Sequence, residues 1–79
     1  MSENREFIPL DIALMTISDT RTEADDKSGA VLRRMVGEAG HRIYGQCIVP
    51  DDKYRIRAQV SAWIAEPAVS VVITTGGTG

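Results

Sequence analysis

Cysteine is scarce in this sequence, since Cys47 is the only one among 79 residues. A single cysteine excludes the disulfide-stapled folds of small secreted proteins and fits a reducing compartment. Long apolar runs are missing too, because no stretch approaches the roughly 18 residues that a membrane-spanning helix requires. Residues 1–6 are polar and charged, unlike the apolar core of a signal peptide. We therefore expect a cytoplasmic protein that does not bind a membrane.

Basic charge is not in excess either. Nine Lys and Arg residues against eleven Asp and Glu residues give a formal net charge of −2. Nucleic-acid binding needs a basic face, so we expect no nucleic-acid partner. Hydrophobic residues make up 43% of the chain and charged residues 25%, as in an ordinary globular protein. A chain this short buries only about 60% of its unfolded surface, which limits it to one small domain.

Three apolar segments have the length of β-strands, and they cover residues 11–18, 41–49 and 69–74. The first and third are apolar almost throughout, which is typical of strands covered on both faces. The second alternates, and its two faces are predicted to carry Ile43, Cys47 and Val49 on one side and Tyr44, Gln46 and Ile48 on the other.

Two helices are predicted between these strands. The first begins near Gly29 with Ser28 as its N-cap, Asp25 and Asp26 being alternative caps, and Gly40 ends it. The second covers residues 53–66, with the N-cap at residue 52 and a proline after it. Their core-facing stripes are predicted to be Leu32, Met35, Val36 and Ala39 in the first, and Ile56, Val60, Trp63 and Ile64 in the second.

The resulting order, β-α-β-α-β with short connections, predicts a Rossmann-like three-layer α/β/α fold with a parallel sheet. A third strand covered on both faces needs more than two helices, and a glycine run normally leads into a further helix. We therefore expect a flexible arm at residues 1–7, followed at residues 8–79 by the N-terminal part of a domain truncated after its third strand. A complete minidomain is the alternative.

Polar segments follow all three predicted strands, at Ser18–Thr20, Pro50–Asp52 and Thr75–Gly79. The carboxyl ends of parallel strands meet at one edge of the sheet, and ligands of open α/β sheets bind beyond that edge. The three segments are therefore predicted to form one ligand site.

The segment Thr75-Gly-Gly-Thr-Gly79 has the composition of a phosphate-binding loop. Glycines let backbone N–H groups converge on an anion, and Thr75 and Thr78 add hydroxyl donors. The Lys-Ser/Thr pair of a P-loop does not follow, and the pattern is not G-x-G-x-x-G. A plain turn is the alternative, but the position after a buried strand favours phosphate binding by residues 75–79.

Asp51 is the candidate catalytic residue of this edge. Asp52 is well placed to cap the second helix, which leaves Asp51 able to face the ligand. Because a carboxylate repels a phosphate unless a cation lies between them, Asp51 beside the glycine loop indicates a magnesium nucleotide. The acidic loop at residues 19–26 is unusually long, which favours a functional role, with a solvated loop as the alternative.

Three other residues are expected to be structural. Trp63 lies on an apolar helix stripe and is predicted to pack in the core. Cys47 is expected to be a buried small hydrophobe, because no neighbour marks it as a nucleophile. A single histidine, His41, is expected to be exposed and gives no indication of a metal site.

Five motifs resemble the MoaB/Mog family of molybdenum cofactor biosynthesis. They are Ser18-Asp19, Asp26-Lys-Ser-Gly29, Glu38-Ala-Gly40, Val49-Pro-Asp51 and Ile73-Thr-Thr-Gly-Gly-Thr-Gly79, the last being the most specific. The resemblance spans residues 7–79. The leader at residues 6–9 and the helix stretch at residues 56–65 are similar to the B branch of this family.

The resemblance implies a molybdopterin-binding domain that transfers AMP from MgATP to molybdopterin with release of pyrophosphate. By motif position, it implies that Gly76, Gly77, Thr78 and Gly79 cradle phosphate. It also implies that Asp51 acts through Mg²⁺ or on the nucleotide. The resemblance also implies that Asp19, Ser28 and Gly29 shape the pocket wall, and Ser18 is a further candidate for substrate binding. Family members are usually trimers or higher assemblies, so a homo-oligomer is expected.

The sequence also departs from the family pattern. A second acid after the glycine loop and a later Pro-Gly segment do not occur within the 79 residues, so we expect no turnover from this chain by itself. Two other readings stay open at this stage. One is a non-catalytic molybdopterin- or nucleotide-binding paralogue. The other is the related domain of competence-damage-inducible proteins, which act on pyridine-nucleotide derivatives.

Overall fold

Helices and strands alternate along the chain. The computed structural model describes residues 7–20, 22 and 25–76. The elements are β1 (Asp11–Ile17), α1 (Lys27–Glu38), β2 (Arg42–Val49), α2 (Lys53–Ile64) and β3 (Val71–Gly76). The three strands are parallel and lie in the order β2-β1-β3. This arrangement confirms the predicted Rossmann-like α/β fold and adds the strand order, which the sequence pattern did not define.

Strand β1 is covered by a different helix on each face. Ile12 and Leu14 pack with Val36 of α1, whereas Ala13 and Met15 pack with Trp63 of α2. Successive side chains of a strand point to opposite faces, so α1 and α2 must lie on opposite sides of the sheet. The prediction that the first strand is buried on both faces is confirmed, as is the core position of Trp63.

A bulge in β2 changes which of its residues share a face. Ile12 pairs with Ile43 and Ala13 pairs with Gly45, so Tyr44 is the extra residue. Ile43 therefore packs on the α1 side, while Cys47 and Val49 pack on the α2 side. The prediction of one face shared by Ile43, Cys47 and Val49 was wrong, because an inserted residue reverses the alternation beyond it. Gly45 then lies under the Trp63 ring.

Strand β3 begins and ends two residues later than predicted. A turn closes from the Val69 N–H to the Glu66 carbonyl, and pairing with β1 starts beyond it. Val69 still packs in the α2-side core, so its apolar character reflects burial in a turn. This strand is less covered than β1, since Val71 is 36% exposed and Thr74 is exposed as well, which agrees with the expectation that two helices do not cover it on both faces.

The helix ends follow capping chemistry. Asp26 is the N-cap of α1 and accepts a hydrogen bond from the Gly29 N–H, so the alternative cap is correct and Ser28 was wrong. The reason is spacing: an N-cap carboxylate reaches the N–H three residues later. Asp52 caps α2 as predicted, with hydrogen bonds from the N–H groups of residues 54 and 55. Gly40 follows α1 with a φ of +91°, which suits glycine.

Both apolar helix stripes are narrower than predicted. Met35 is 56% exposed and Ile64 is 72% exposed. Ala39 is exposed as the C-cap of α1, and α2 ends at Ile64. Each helix packs on a single sheet face, so only the residues at the centre of its stripe reach the core.

The amino-terminal edge of the sheet is closed by polar pairs. The Arg42 guanidinium donates two hydrogen bonds to the carboxylate of Asp11, its partner in the sheet register, at 2.8 and 3.0 Å. The Leu10 N–H donates to Nδ1 of His41, whose ring lies 5.1 Å from the Phe7 ring. His41 is half-buried, so the expectation that it is exposed was wrong. Of the arm predicted at residues 1–7, residues 1–6 lie outside the described chain.

We predict that Asp11→Asn destabilises the protein at neutral pH and much less in acid. The hydrogen bonds from Arg42 hold the pKa of the Asp11 carboxyl below its usual value of 3.8. A carboxyl with a lowered pKa stabilises the fold above its unfolded pKa, and this contribution is lost as the pH falls through the folded pKa. Urea unfolding of the wild type and of Asp11→Asn, at about pH 7 and at about pH 2.5, measures the difference in free energy of unfolding.

Glu38→Gln is the matched control for this measurement, since Glu38 lies 4.0 Å from Arg34 in an exposed pair of the i,i+4 type. We expect its effect to be smaller than that of Asp11→Asn. A difference between wild type and Asp11→Asn that stays constant with pH would contradict the prediction.

Candidate functional site

The three strands end at the same level of the sheet. Ile17, the last residue of β1, pairs with Val49 on one side and with Gly76 on the other. The segments that follow the strands therefore leave from one edge, which we call the carboxyl rim. Of the predicted site, the described residues at this rim are Ser18, Asp19, Asp51, Thr75 and Gly76.

Two of the rim turns are joined by hydrogen bonds. The Asp51 N–H donates to the Asp19 carboxylate at 2.9 Å, and the Ser18 N–H donates to the Val49 carbonyl at 2.9 Å. The Asp19 and Asp51 side chains are both exposed to solvent. The turns after β1 and β2 therefore form one polar surface that carries two carboxylates.

Strand order determines which of the two acidic turns, the one after β1 or the one after β2, lies nearer to β3. In a sheet of order 2-1-3, the ligand crevice opens at the carboxyl ends of β1 and β3, where the strand order reverses. Asp19 follows β1, the strand adjacent to β3, and its carboxylate accepts the Asp51 N–H on the β2 side. Asp51 follows β2, which lies two strand spacings, about 10 Å, from β3. The turn after β1 is thus nearer to β3 than the turn after β2, a distinction that the linear sequence did not reveal.

The glycine segment begins inside β3. Thr75 and Gly76 are strand residues that pair with Thr16 and Ile17, so the expectation that Thr75 lies in a loop was wrong. Thr75 is half-buried in the sheet. Gly77, Thr78 and Gly79 lie outside the described residues, and their phosphate-binding role stays a prediction.

Gly76 has a structural reason to be glycine. Its φ of +94° is in the left-handed region, and a Cβ atom there would overlap the backbone carbonyl oxygen of Ile17. Gly76 is therefore the last residue of β3, in a conformation that suits glycine, and it packs directly on β1.

The acidic loop after β1 is anchored at its far end by a buried carboxylate. Asp26 is 7% exposed and accepts hydrogen bonds from the Thr16 hydroxyl at 2.6 Å and from the Gly29 N–H at 3.0 Å. A Cβ atom at Gly29 would overlap the Asp26 carboxylate, so Gly29 is required for close packing. Asp25 accepts a hydrogen bond from the Thr22 N–H at 2.6 Å. The alternative that the acidic loop at residues 19–26 is fully solvated is therefore wrong at its last residue, Asp26.

The hydrogen bond between Thr16 and Asp26 was not predicted from the sequence. The available signal was Thr16 itself, a hydroxyl within an otherwise apolar buried run. A buried hydroxyl needs a hydrogen-bond partner, and an aspartate at the start of the next helix can supply one.

An open cleft of about 450 Å³ runs from the rim along the outer edge of β2. Ser18, Asp19 and Pro50 line it at the rim, and Gln46 and Cys47 line it further down β2. An adjoining depression of about 300 Å³ shares these β2 residues and reaches Asp26 and Arg33. The Arg33 guanidinium donates to the Gln46 side-chain oxygen at 2.8 Å.

The residues that could hold a metal ion are the two rim carboxylates. Within residues 7–20, 22 and 25–76, no cluster of three or more His, Cys, Asp or Glu side chains forms a metal cage. Mg²⁺ commonly binds through one or two carboxylates together with substrate phosphates and water. Asp19 and Asp51 fit that donor set, and a nucleotide would have to supply the phosphates.

This architecture defines the class of protein. A parallel sheet with helices on both faces and polar turns at one carboxyl rim is a Rossmann-like α/β ligand-binding domain. Within that class, a family model described as "Probable molybdopterin binding domain" matches residues 13–79. The chain belongs to this family. No helix in the described part of the chain has the length and apolarity to cross a membrane.

Individual relatives agree with this assignment. The chain is 55% identical over 74 residues to molybdenum cofactor biosynthesis protein B of Escherichia coli, covering 94% of the chain and 44% of that protein. The protein of the same name from Bacillus cereus is 43% identical over 81 residues, covering 100% of the chain and 48% of the relative. The chain thus spans about half the length of the curated relatives it matches.

A solved structure gives the same result for the fold. A crystal structure of molybdenum cofactor biosynthesis protein B superimposes with a TM-score of 0.89 at 44% identity, covering 95% of this chain and 47% of that one.

We predict that Gly76→Ala destabilises the protein by about 2 kcal/mol or more, from the left-handed φ and the overlap with the Ile17 carbonyl. Gly37→Ala is the matched control, because Gly37 lies in α1 with open space around it. It should stabilise the protein by about 0.5–1 kcal/mol. Urea unfolding measures both changes, and equal stability of the two variants would contradict the prediction.

We predict that Cys47 reacts slowly with iodoacetamide in the folded protein. Cys47 is half-buried, and burial raises the pKa of its thiol, which lowers the reactive thiolate fraction at neutral pH. Alkylation near pH 8 should be at least about tenfold slower than in the same protein unfolded in urea. Equal rates in the two states would show that the cleft leaves the thiol unprotected.

Proposed function

We propose that the protein containing this chain acts in molybdenum cofactor biosynthesis by transferring AMP from MgATP to molybdopterin at the carboxyl rim. The observation that carries the proposal is the common end of the three strands, where Ile17 is level with both Val49 and Gly76. Because the strands end together, Asp19, Asp51 and the start of the glycine segment lie at one edge of the sheet. Membership of the molybdopterin-binding family supports molybdopterin as the ligand.

The glycine segment is the phosphate-binding part of the proposed site. Gly76 is the last residue of β3, and the backbone N–H groups of Gly77, Thr78 and Gly79 are proposed to converge on a phosphate. Backbone donors suit this task, because they carry partial positive charge and glycine lets an anion approach closely. Thr75, at the base of the segment, is proposed to contribute its hydroxyl as a further hydrogen-bond donor to the phosphate.

Asp51 is the proposed catalytic residue, and Asp19 is the proposed second carboxylate. The hydrogen bond from the Asp51 N–H to Asp19 holds the two turns together, which supports a shared role. When bound, Mg²⁺ supplies positive charge that offsets the repulsion between carboxylates and phosphates. Asp19 and Asp51 would hold it from the protein side, and Ser18, Ser28 and Gly29 would form the wall nearest the pterin.

The proposed reaction is an in-line displacement at phosphorus. The terminal phosphate of molybdopterin attacks the α-phosphate of ATP, a new phosphoanhydride bond forms, and pyrophosphate leaves. Such a reaction depends mainly on positioning and electrostatic stabilisation, so a rim of fixed backbone donors and carboxylates is suited to it. A homo-oligomer, trimeric or hexameric, and a cytoplasmic location belong to the same proposal.

The test compares two adjacent aspartates in the complete gene product. Asp51→Asn removes the proposed catalytic charge and should lower pyrophosphate release from MgATP and molybdopterin by about 100-fold or more. Asp52→Asn is the matched control, because Asn caps a helix as well as Asp does, and it should stay within about threefold of wild type. Both variants change one carboxylate to an amide at neighbouring positions.

Two outcomes would overturn parts of the proposal. Full activity of Asp51→Asn would remove the catalytic role of Asp51. Molybdopterin binding by calorimetry without pyrophosphate release from the wild-type protein would instead indicate a non-catalytic binding paralogue.

A further inference from the structure

The hydrogen bond between Thr16 and Asp26 lies beneath the rim turn that carries Ser18 and Asp19. We propose that Thr16 and Asp26 are positioning residues, which hold this turn so that Asp19 stays bonded to Asp51. The consequence for ligand binding rests on the function proposed above, whereas the positioning itself does not.

Burial makes this pair a fixed point. Thr16 is 3% exposed and Asp26 is 7% exposed, and the hydroxyl donates to the carboxylate at 2.6 Å. A carboxylate in such a place is stable only when donors satisfy it, and a short charge-assisted hydrogen bond is among the stronger ones in proteins. Neither residue can move without leaving a polar group unsatisfied.

The pair clamps both ends of the loop. The chain leaves β1 at Ile17, directly after Thr16, and Asp26 lies at the start of α1. Their hydrogen bond therefore closes the loop of residues 17–25 at its base. A residue close in the chain to such a fixed point has little freedom to shift away from it. Ser18 and Asp19 are the first residues of this loop.

Asp26 also fixes the helix that faces the cleft. Its carboxylate accepts the Gly29 N–H at 3.0 Å, and Gly29 packs so closely that a Cβ atom would overlap the carboxylate. The same side chain thus links β1 to the first turn of α1, where Ser28 lies. One carboxylate sets the position of both segments proposed to form the pocket wall.

The path from this pair to the catalytic acid is short and continuous. Thr16 bonds to Asp26, the chain runs through only two residues from Thr16 to Asp19, and Asp19 accepts the N–H of Asp51. Loss of the Thr16 hydroxyl should therefore loosen the bond between the two rim turns while leaving the opposite edge of the sheet intact.

The first test measures amide hydrogen exchange in the complete gene product and needs no ligand. Thr16→Val replaces the hydroxyl by a methyl group of similar size and should speed exchange of the Asp51 amide by about tenfold. The Arg42 amide, which donates to the Leu10 carbonyl at the far edge, is the internal reference and should change by less than about twofold. Thr16→Ser keeps the hydroxyl and should restore the wild-type rate.

Equal acceleration of both amides would mean that Thr16 serves general stability only, and an unchanged Asp51 amide would mean that the loop is held by other contacts. Either result overturns the proposal, as does failure of Thr16→Ser to restore exchange.

The second test measures affinity for molybdopterin by calorimetry in a double-mutant cycle. Thr16→Val should weaken binding by about tenfold, and should add less than about twofold in an Asp19→Ala background, because no side-chain acceptor is then left at residue 19 for the Asp51 N–H. Independent, multiplying effects would contradict positioning through Asp19. If the wild-type protein binds no molybdopterin, the proposed function fails, and the exchange experiment still decides the role of Thr16.

Discussion

Burial of β1 on both faces is the constraint on which the other features depend. Leu14 and Met15 are almost completely inaccessible, one beneath each helix, and β1 is also the strand to which both others pair. A residue fixed on both faces and along both edges cannot shift without opening two core clusters at once. The register of β2 and β3 against β1, and so the level of the carboxyl rim, follows from this single strand.

Polar chemistry is segregated along the same strand. At its amino end, Asp11 pairs with Arg42 across the register, and Leu10 bonds to His41. At its carboxyl end, Thr16 turns a buried hydroxyl toward Asp26, just before the apolar surface gives way to the rim. The pairs at the amino end close the edge of the sheet. The Thr16–Asp26 pair at the carboxyl end holds the turn that faces the cleft.

Close packing at two glycines connects stability to the site. Gly76 lies against the Ile17 carbonyl and Gly29 lies against the Asp26 carboxylate, so both glycines are needed before any ligand is considered. Glycines in a ligand-binding motif are commonly interpreted as making room for a phosphate. At Gly76 and Gly29 the nearest neighbours are the protein's own backbone and side chains. Substitution of either glycine would therefore destabilise the fold as well as change the site.

The sequence by itself determined the element order, the burial of β1, the Asp52 cap and the meeting of polar turns at one edge, because these follow from local periodicity and from parallel topology. Tertiary structure decided the bulge at Tyr44, the exposure of Met35 and Ile64, and the later bounds of β3, since each depends on what a residue packs against. It also decided that the turn after β1 lies nearer β3 than the turn after β2, and that Thr16 meets Asp26. Those relations join residues distant in the chain, and spacing along a sequence carries no record of strand order or of which buried donor finds which acceptor.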